Sequence, residues 1–128
     1  SPPLADMLRE MLHQSRNLYA ENLFRLAGAA GAAEGEKATA RRASAAMGEL
    51  LAELGVDTRD FAMHDGSGLS RLNQVTPRQV AGLLAAARGN DWGRSLFALL
   101  PKAGREGTLA RRFRGTPPPG GCGPRGAP

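Results

Sequence analysis

Leu4, Met7, Leu8, Met11 and Leu12 recur at i, i+3, i+4, i+7 and i+8, a spacing that lines one face of a helix and neither face of a strand. The same period returns in Tyr19, Leu23, Leu26 and Ala27, and again in Ala43, Met47, Leu50, Leu51 and Leu54. Aromatic residues make up only 5% of the 128 positions, so a core has to be assembled from Leu, Ala, Met and Val carried on such stripes. The chain is long enough for one ordinary domain and too short for two comfortable ones. A mainly α-helical body is therefore expected.

Punctuation residues set the element boundaries. The first helix ends near His13, and a second over residues 18–27 is expected to stop at Gly28. Residues 28–35 contain only Gly, Ala and one Glu and read as a flexible connection. Gly55 closes the third helix, and the alternation of Phe61 and Met63 with polar or small neighbours predicts a short extended segment. Thr76-Pro77-Arg78-Gln79 combines an N-cap Thr, a first-turn Pro and Gln three residues after the cap, which starts a fourth helix running to about Arg88. Asp91 is placed to cap a fifth helix carrying Trp92, Leu96, Leu99 and Leu100 and ended by Pro101. Residues 115–128 hold five Pro, five Gly and no large apolar side chain, and read as a disordered tail.

Charge divides the chain: residues 1–60 carry net −2 and residues 61–128 net +7. A field of that sign favours anionic surfaces, including nucleic acid or an acidic wall polymer, but it governs encounter rather than fold. Cys122 is the single cysteine, which excludes an intrachain disulfide and a multi-cysteine metal site. His13 and His64 lack neighbouring ligand types and read as packed or solvated side chains. Arg111, Arg112 and Arg114 lack interleaved aromatics and read as a solvated face. No apolar run approaches twenty residues, and the opening Ser1-Pro2-Pro3-Leu4 has neither an initiator Met nor the regions of a signal peptide. That start is expected of a chain that was processed or that begins partway through a larger fold.

Two short runs carry polar groups suited to chemistry. Ser15-Arg16-Asn17 falls at the junction of the first two helices, where Ser and Asn ordinarily serve as caps. Asp65-Gly66-Ser67-Gly68-Leu69-Ser70-Arg71 has two glycines but no Gly-Lys-Ser/Thr ending, so it reads as a tight turn capped by Asp65 rather than a phosphate cradle.

The run 15–23 (Ser-Arg-Asn-Leu-Tyr-Ala-Glu-Asn-Leu), the run 65–71 and the run 100–109 (Leu-Pro-Lys-Ala-Gly-Arg-Glu-Gly-Thr-Leu) together resemble the D-alanyl-D-alanine carboxypeptidase/endopeptidase family, the class C low-molecular-mass penicillin-binding proteins. The resemblance spans residues 1–117 and implies part of a penicillin-binding-protein/β-lactamase-like (serine transpeptidase-like) fold over 1–114, mostly helical with little strand. That family acts with three boxes: Ser-x-x-Lys for the nucleophile and its base, Ser-x-Asn, and Lys-Thr-Gly. Only the second is present. No Ser here is followed by Lys three positions on, and Gly115-Thr116-Pro117 runs into Pro and Gly instead of a Lys box. By resemblance, Ser15 is catalytic, relaying a proton toward the leaving amine, and Asn17 binds substrate by hydrogen-bonding the peptide being cleaved. Arg16 stands where many relatives have Asp, at the variable position of the box.

The same resemblance implies an inactive fragment of an enzyme that acts on peptidoglycan stem peptides ending in D-Ala-D-Ala through a serine acyl-enzyme. The intact parent would also bind β-lactams and be exported to the periplasm or cell envelope. No metal or organic cofactor and no nucleic acid partner is implied. Codons permitted for Gly121 to Arg125, read one frame over, yield Val-Arg-Ala-Lys, similar to the family's approach to its Lys box, so a frame shift is one origin for the break. The alternative reading is a small basic helical binding module for an anionic partner such as nucleic acid, recognisable by salt-dependent binding.

Overall fold

A computed structural model describes residues 3–30 and 37–112. Five helices form there: α1 (Leu4–Gln14), α2 (Asn17–Ala29), α3 (Ala40–Glu53), α4 (Pro77–Arg88) and α5 (Asp91–Leu99), followed by a 3-10 turn at Gly107–Leu109. Among the described residues the extended pairing is limited to one antiparallel bridge between Ala62 and Gln74. That bridge is what the alternation around Phe61 and Met63 becomes. The expected tail at 115–128 lies outside the described residues.

The helices pair as α2 with α3 and α4 with α5, and α1 touches α2, α5 and the 3-10 turn. Small residues make both pairings close. Gly28, expected to end α2, lies inside it and is buried; a Cβ there would stand 2.7 Å from the Ala43 backbone nitrogen and 2.9 Å from the Thr39 carbonyl. Its role is thus helix crossing, and α2 ends one residue later. Gly93 does the same for the second pair, since a Cβ would fall on the backbone carbonyl of Ala87. Ala43 and Ala87 are accordingly fully buried, and Phe24, Leu51, Val56 and Leu99 are largely buried beside them.

Caps follow local chemistry. Thr39 caps α3 by accepting from the Arg42 amide, and Gly55, at φ 74°, makes the left-handed exit that follows α3. At α4 the capping box forms as the sequence predicts: Thr76 Oγ1 accepts from the Gln79 amide, and Gln79 Oε1 accepts from the Thr76 amide. Gln79, only 4% exposed, also donates from Nε2 to the carbonyls of Asp57 and Arg59, at 3.0 and 3.1 Å. All its polar atoms are paired, which makes burial of an amide tolerable and ties the α3–α4 connection to α4. Asp91 is the first residue of α5 and Asn90 holds the cap position; the Asn90 side chain donates instead to the Ala86 carbonyl at the end of α4.

Identical substitutions in two helices should have opposite signs. Gly28→Ala is expected to destabilise by about 1–3 kcal/mol, because the methyl meets backbone that cannot yield cheaply. Gly48→Ala, mid-α3 with only a Phe61 ring carbon at 3.7 Å, is expected to stabilise by about 0.5–1 kcal/mol through helix propensity. Thermal or urea unfolding monitored by far-ultraviolet circular dichroism measures both.

Candidate active site

The α1–α2 junction is built by Ser15. Its backbone is left-handed, φ 53° and ψ 49°, and its amide turns back to the Met11 carbonyl. The Arg16 amide does likewise at 3.2 Å, closing α1. Arg16 then extends, and its carbonyl accepts from the amides of Tyr19 and Ala20 to open α2. Glycine meets a left-handed backbone without steric cost, whereas serine pays on the order of 1 kcal/mol. The turn itself therefore does not call for a hydroxyl.

Ser15 and Asn17 are both exposed, and neither side chain caps a helix: α1 and α2 have no side-chain cap bond at this junction. The capping role that such residues ordinarily take is absent. Between them, Arg16 Nε pairs with Glu10 Oε1 at 3.1 Å, a solvent-exposed bridge worth little. Two exposed polar side chains with donor and acceptor capacity thus stand two residues apart in the chain, placed by backbone rather than by cap bonds of their own.

The other two runs singled out by the sequence close on the same helices. Gly66 lies against α2 so tightly that a Cβ would stand 2.3 Å from the Ala20 carbonyl and 2.5 Å from Phe24 Cβ. Gly107, with φ 54°, is equally close to the backbone of His13, two residues before Ser15. His13 in turn donates from Nε2 to the Leu99 carbonyl at 3.1 Å, joining α1 to the end of α5. Triplet, 65–71 loop and 100–109 segment therefore belong to one structural neighbourhood around α1 and α2.

Asp65 organises its loop as an anionic hub. Oδ1 accepts from the Asn73 side-chain amide at 2.7 Å and the Gly68 amide at 3.0 Å, while Oδ2 accepts from Ser67 Oγ at 2.8 Å and the Ser70 amide at 2.9 Å. Four donors leave no free carboxylate edge for a cation, and no group of three or more His, Cys, Asp or Glu side chains suited to a metal occurs among the described residues. The Asn73 amide first, then Ser67 and the backbone amides, hold the Asp65 carboxyl at about 2. Gly68, at φ 78°, provides the positive backbone angle expected of the turn. Asn73 Oδ1 accepts from the His64 amide, and Ser44 Oγ on α3 accepts from the Met63 amide, so the base of the loop is tied to α3. Asn73 and Glu21, whose carboxylate accepts from the Gly66 amide, carry no local sequence signal for these roles.

Residues 1–122 match the D-Ala-D-Ala carboxypeptidase 3 (S13) family. The chain belongs to this family. It is 39% identical over 121 residues to the D-alanyl-D-alanine carboxypeptidase of Actinomadura sp. strain R39, covering 91% of this chain and 22% of that one. It is 32% identical over 112 residues to the D-alanyl-D-alanine carboxypeptidase DacB of Haemophilus influenzae, covering 88% and 23%. The crystal structure of penicillin binding protein 4 (dacB) from H. influenzae superposes with a TM-score of 0.80 at 31% identity, over 93% of this chain and 26% of that one. A second structure of the same protein, complexed with a β-lactam, gives 0.77 at 32% identity. The chain thus spans about a quarter of the length of the relatives it matches, and the helical fold expected from its resemblance is the one it adopts. None of its helices is long and apolar enough to cross a membrane, among the described residues.

Because the Asp65 carboxyl is depressed in the folded state, its contribution to loop stability is complete above its ordinary value of 3.8 and is lost as pH falls through about 2. The Gly68 and Ser70 amide chemical shifts are expected to titrate with a midpoint near 2. In Asn73→Ala that midpoint is expected to move up toward 3.8, since the leading donor is gone.

Proposed function

We propose that this chain supplies the Ser-x-Asn part of a serine-type D-alanyl-D-alanine carboxypeptidase/endopeptidase acting on peptidoglycan stem peptides. The observation that carries the reading is the Ser15 junction: a serine kept on a left-handed backbone, its hydroxyl and the neighbouring Asn17 amide both exposed and neither used as a cap. Family membership supplies the chemistry those groups would serve.

In the reaction, the oxygen of a nucleophilic serine attacks the carbonyl carbon of the penultimate D-alanine, and its proton passes to a lysine base. Collapse of the tetrahedral intermediate breaks the C–N bond, and the leaving amine takes a proton through the Ser15 hydroxyl, which donates and re-accepts in turn. Water then releases the acyl group. The Asn17 amide offers a donor and an acceptor to the peptide backbone of the substrate, fixing the scissile bond against Ser15. A β-lactam presents the same carbonyl and meets the same groups. The nucleophile and its lysine are not among these 128 residues, which contain no Ser-x-x-Lys and no Lys-Thr-Gly. This segment alone is therefore inactive, and the complete enzyme works in the cell envelope, where its substrate lies.

Purified chain is expected to take no label from a fluorescent penicillin and to release no D-alanine from a D-Ala-D-Ala peptide. In an enzyme that joins this segment to the other two boxes, Ser15→Ala is expected to lower kcat/KM by about 100-fold or more. Asn17→Ala is expected to lower it by about 10- to 100-fold, with the thermal midpoint unchanged. Ser15→Gly is the sharpest variant, because it relieves the backbone and removes only the hydroxyl; full activity in that variant sinks the proposal.

A further inference from the structure

The 65–71 loop has no part in the scheme above, yet a single side chain fastens it to the helix that opens on Asn17. Glu21 lies on α2 one turn after Asn17, and its side chain is only 26% exposed. Oε1 accepts from Arg25 Nε at 2.8 Å, and Oε2 accepts from the Gly66 backbone amide at 2.9 Å. Both carboxylate oxygens are thus engaged, one by an intrahelical partner that balances the charge and one across 45 residues of chain.

Helical side chains lean toward the N-terminus, so Glu21 covers the turn of α2 that begins with Asn17. Asn17, Ala20, Glu21 and Phe24 follow at i, i+3, i+4 and i+7 and share one face of α2. Ala20, Glu21 and Phe24 are the residues on which Gly66 rests. The loop is therefore seated on the Asn17 face itself, one turn further along. Its far end is anchored independently, through Asn73, the bridge between Ala62 and Gln74, and Ser44 on α3. Without Glu21, the base of the loop stays on α3 and its tip loses its polar tie to α2.

We propose, resting on the Ser-x-Asn reading of Ser15 and Asn17, that Glu21 is a positioning residue: it holds the Gly66 tip of the loop against α2 so that the loop forms a fixed wall beside Asn17. What matters is an acceptor at this position rather than the negative charge. Gln, which retains an acceptor oxygen, should therefore replace Glu where Ala cannot.

The test has two arms. In the full 128-residue chain, amide hydrogen exchange is measured by NMR for Glu21→Ala and Glu21→Gln. Glu21→Ala is expected to speed Gly66 exchange by about tenfold while leaving amides of α4 unchanged, and Glu21→Gln to restore protection to within about threefold of the parent. Equal exchange in Ala, Gln and parent overturns the proposal, and so does acceleration spread evenly over the chain. In the enzyme joining this segment to its other boxes, Glu21→Ala is expected to raise KM for a D-Ala-D-Ala peptide about tenfold with a smaller change in kcat, rescued by Gln, and to add little to Asn17→Ala. Unchanged KM in Glu21→Ala beside a strong Asn17→Ala defect overturns the positioning role and leaves the Ser-x-Asn reading standing. A silent Asn17→Ala overturns both.

Discussion

The close backbone contact between α2 and α3 at Gly28 is the constraint on which the rest of the described structure hangs. With so few aromatics, the chain cannot fill a wide gap between helices, and the crossing must bring backbone onto backbone. Once α2 lies on α3 in that way, the connection after α3 can return across both helices. Met63 then reaches Ser44 and Gly66 reaches Ala20. The second close contact, at Gly93, sets α5 on α4 by the same means. His13 links the two pairs through the Leu99 carbonyl. Backbone proximity, rather than interlocking large side chains, is the organising device throughout.

How far this could be read in advance differs from residue to residue. Thr76 and Gln79 are neighbours in sequence and in their hydrogen bonds, so the capping box is legible from four letters. The second task of Gln79, holding the carbonyls of Asp57 and Arg59, involves residues some twenty positions away and leaves no local mark. Gly28 shows the opposite difficulty: a glycine near the end of a periodic run marks a helix stop or a helix crossing equally well, and only the partner helix decides. Asn90 and Asp91 are both good cap formers in adjacent positions, and the carbonyl of Ala86 settles how the first is used.

The candidate site was legible as a motif and opaque as an arrangement. Ser15 and Asn17 could be picked out, and their place at a helix junction could be inferred from the flanking stripes. That Ser15 adopts a left-handed backbone, and that neither side chain caps, depends on how α1 and α2 meet. The turn chemistry of Asp65 and Gly68 was readable because it is short-range. Its attachment to Glu21 was not, because a backbone amide donates to any well-placed carboxylate and imposes no residue type at Gly66 beyond smallness. Membership in the S13 family places the chain among the D-Ala-D-Ala carboxypeptidases, while the local physics explains how these residues are held.

No large side chain in the described residues is completely buried, and Leu18, Leu26, Leu69 and Leu72 are each more than 60% exposed. The thermal behaviour of the chain follows from this. The heat capacity of unfolding scales with the apolar surface newly exposed, and a chain that already shows so much of it in the folded state has little left to expose. A smaller heat-capacity change flattens the dependence of stability on temperature, so its stability curve should be shallow.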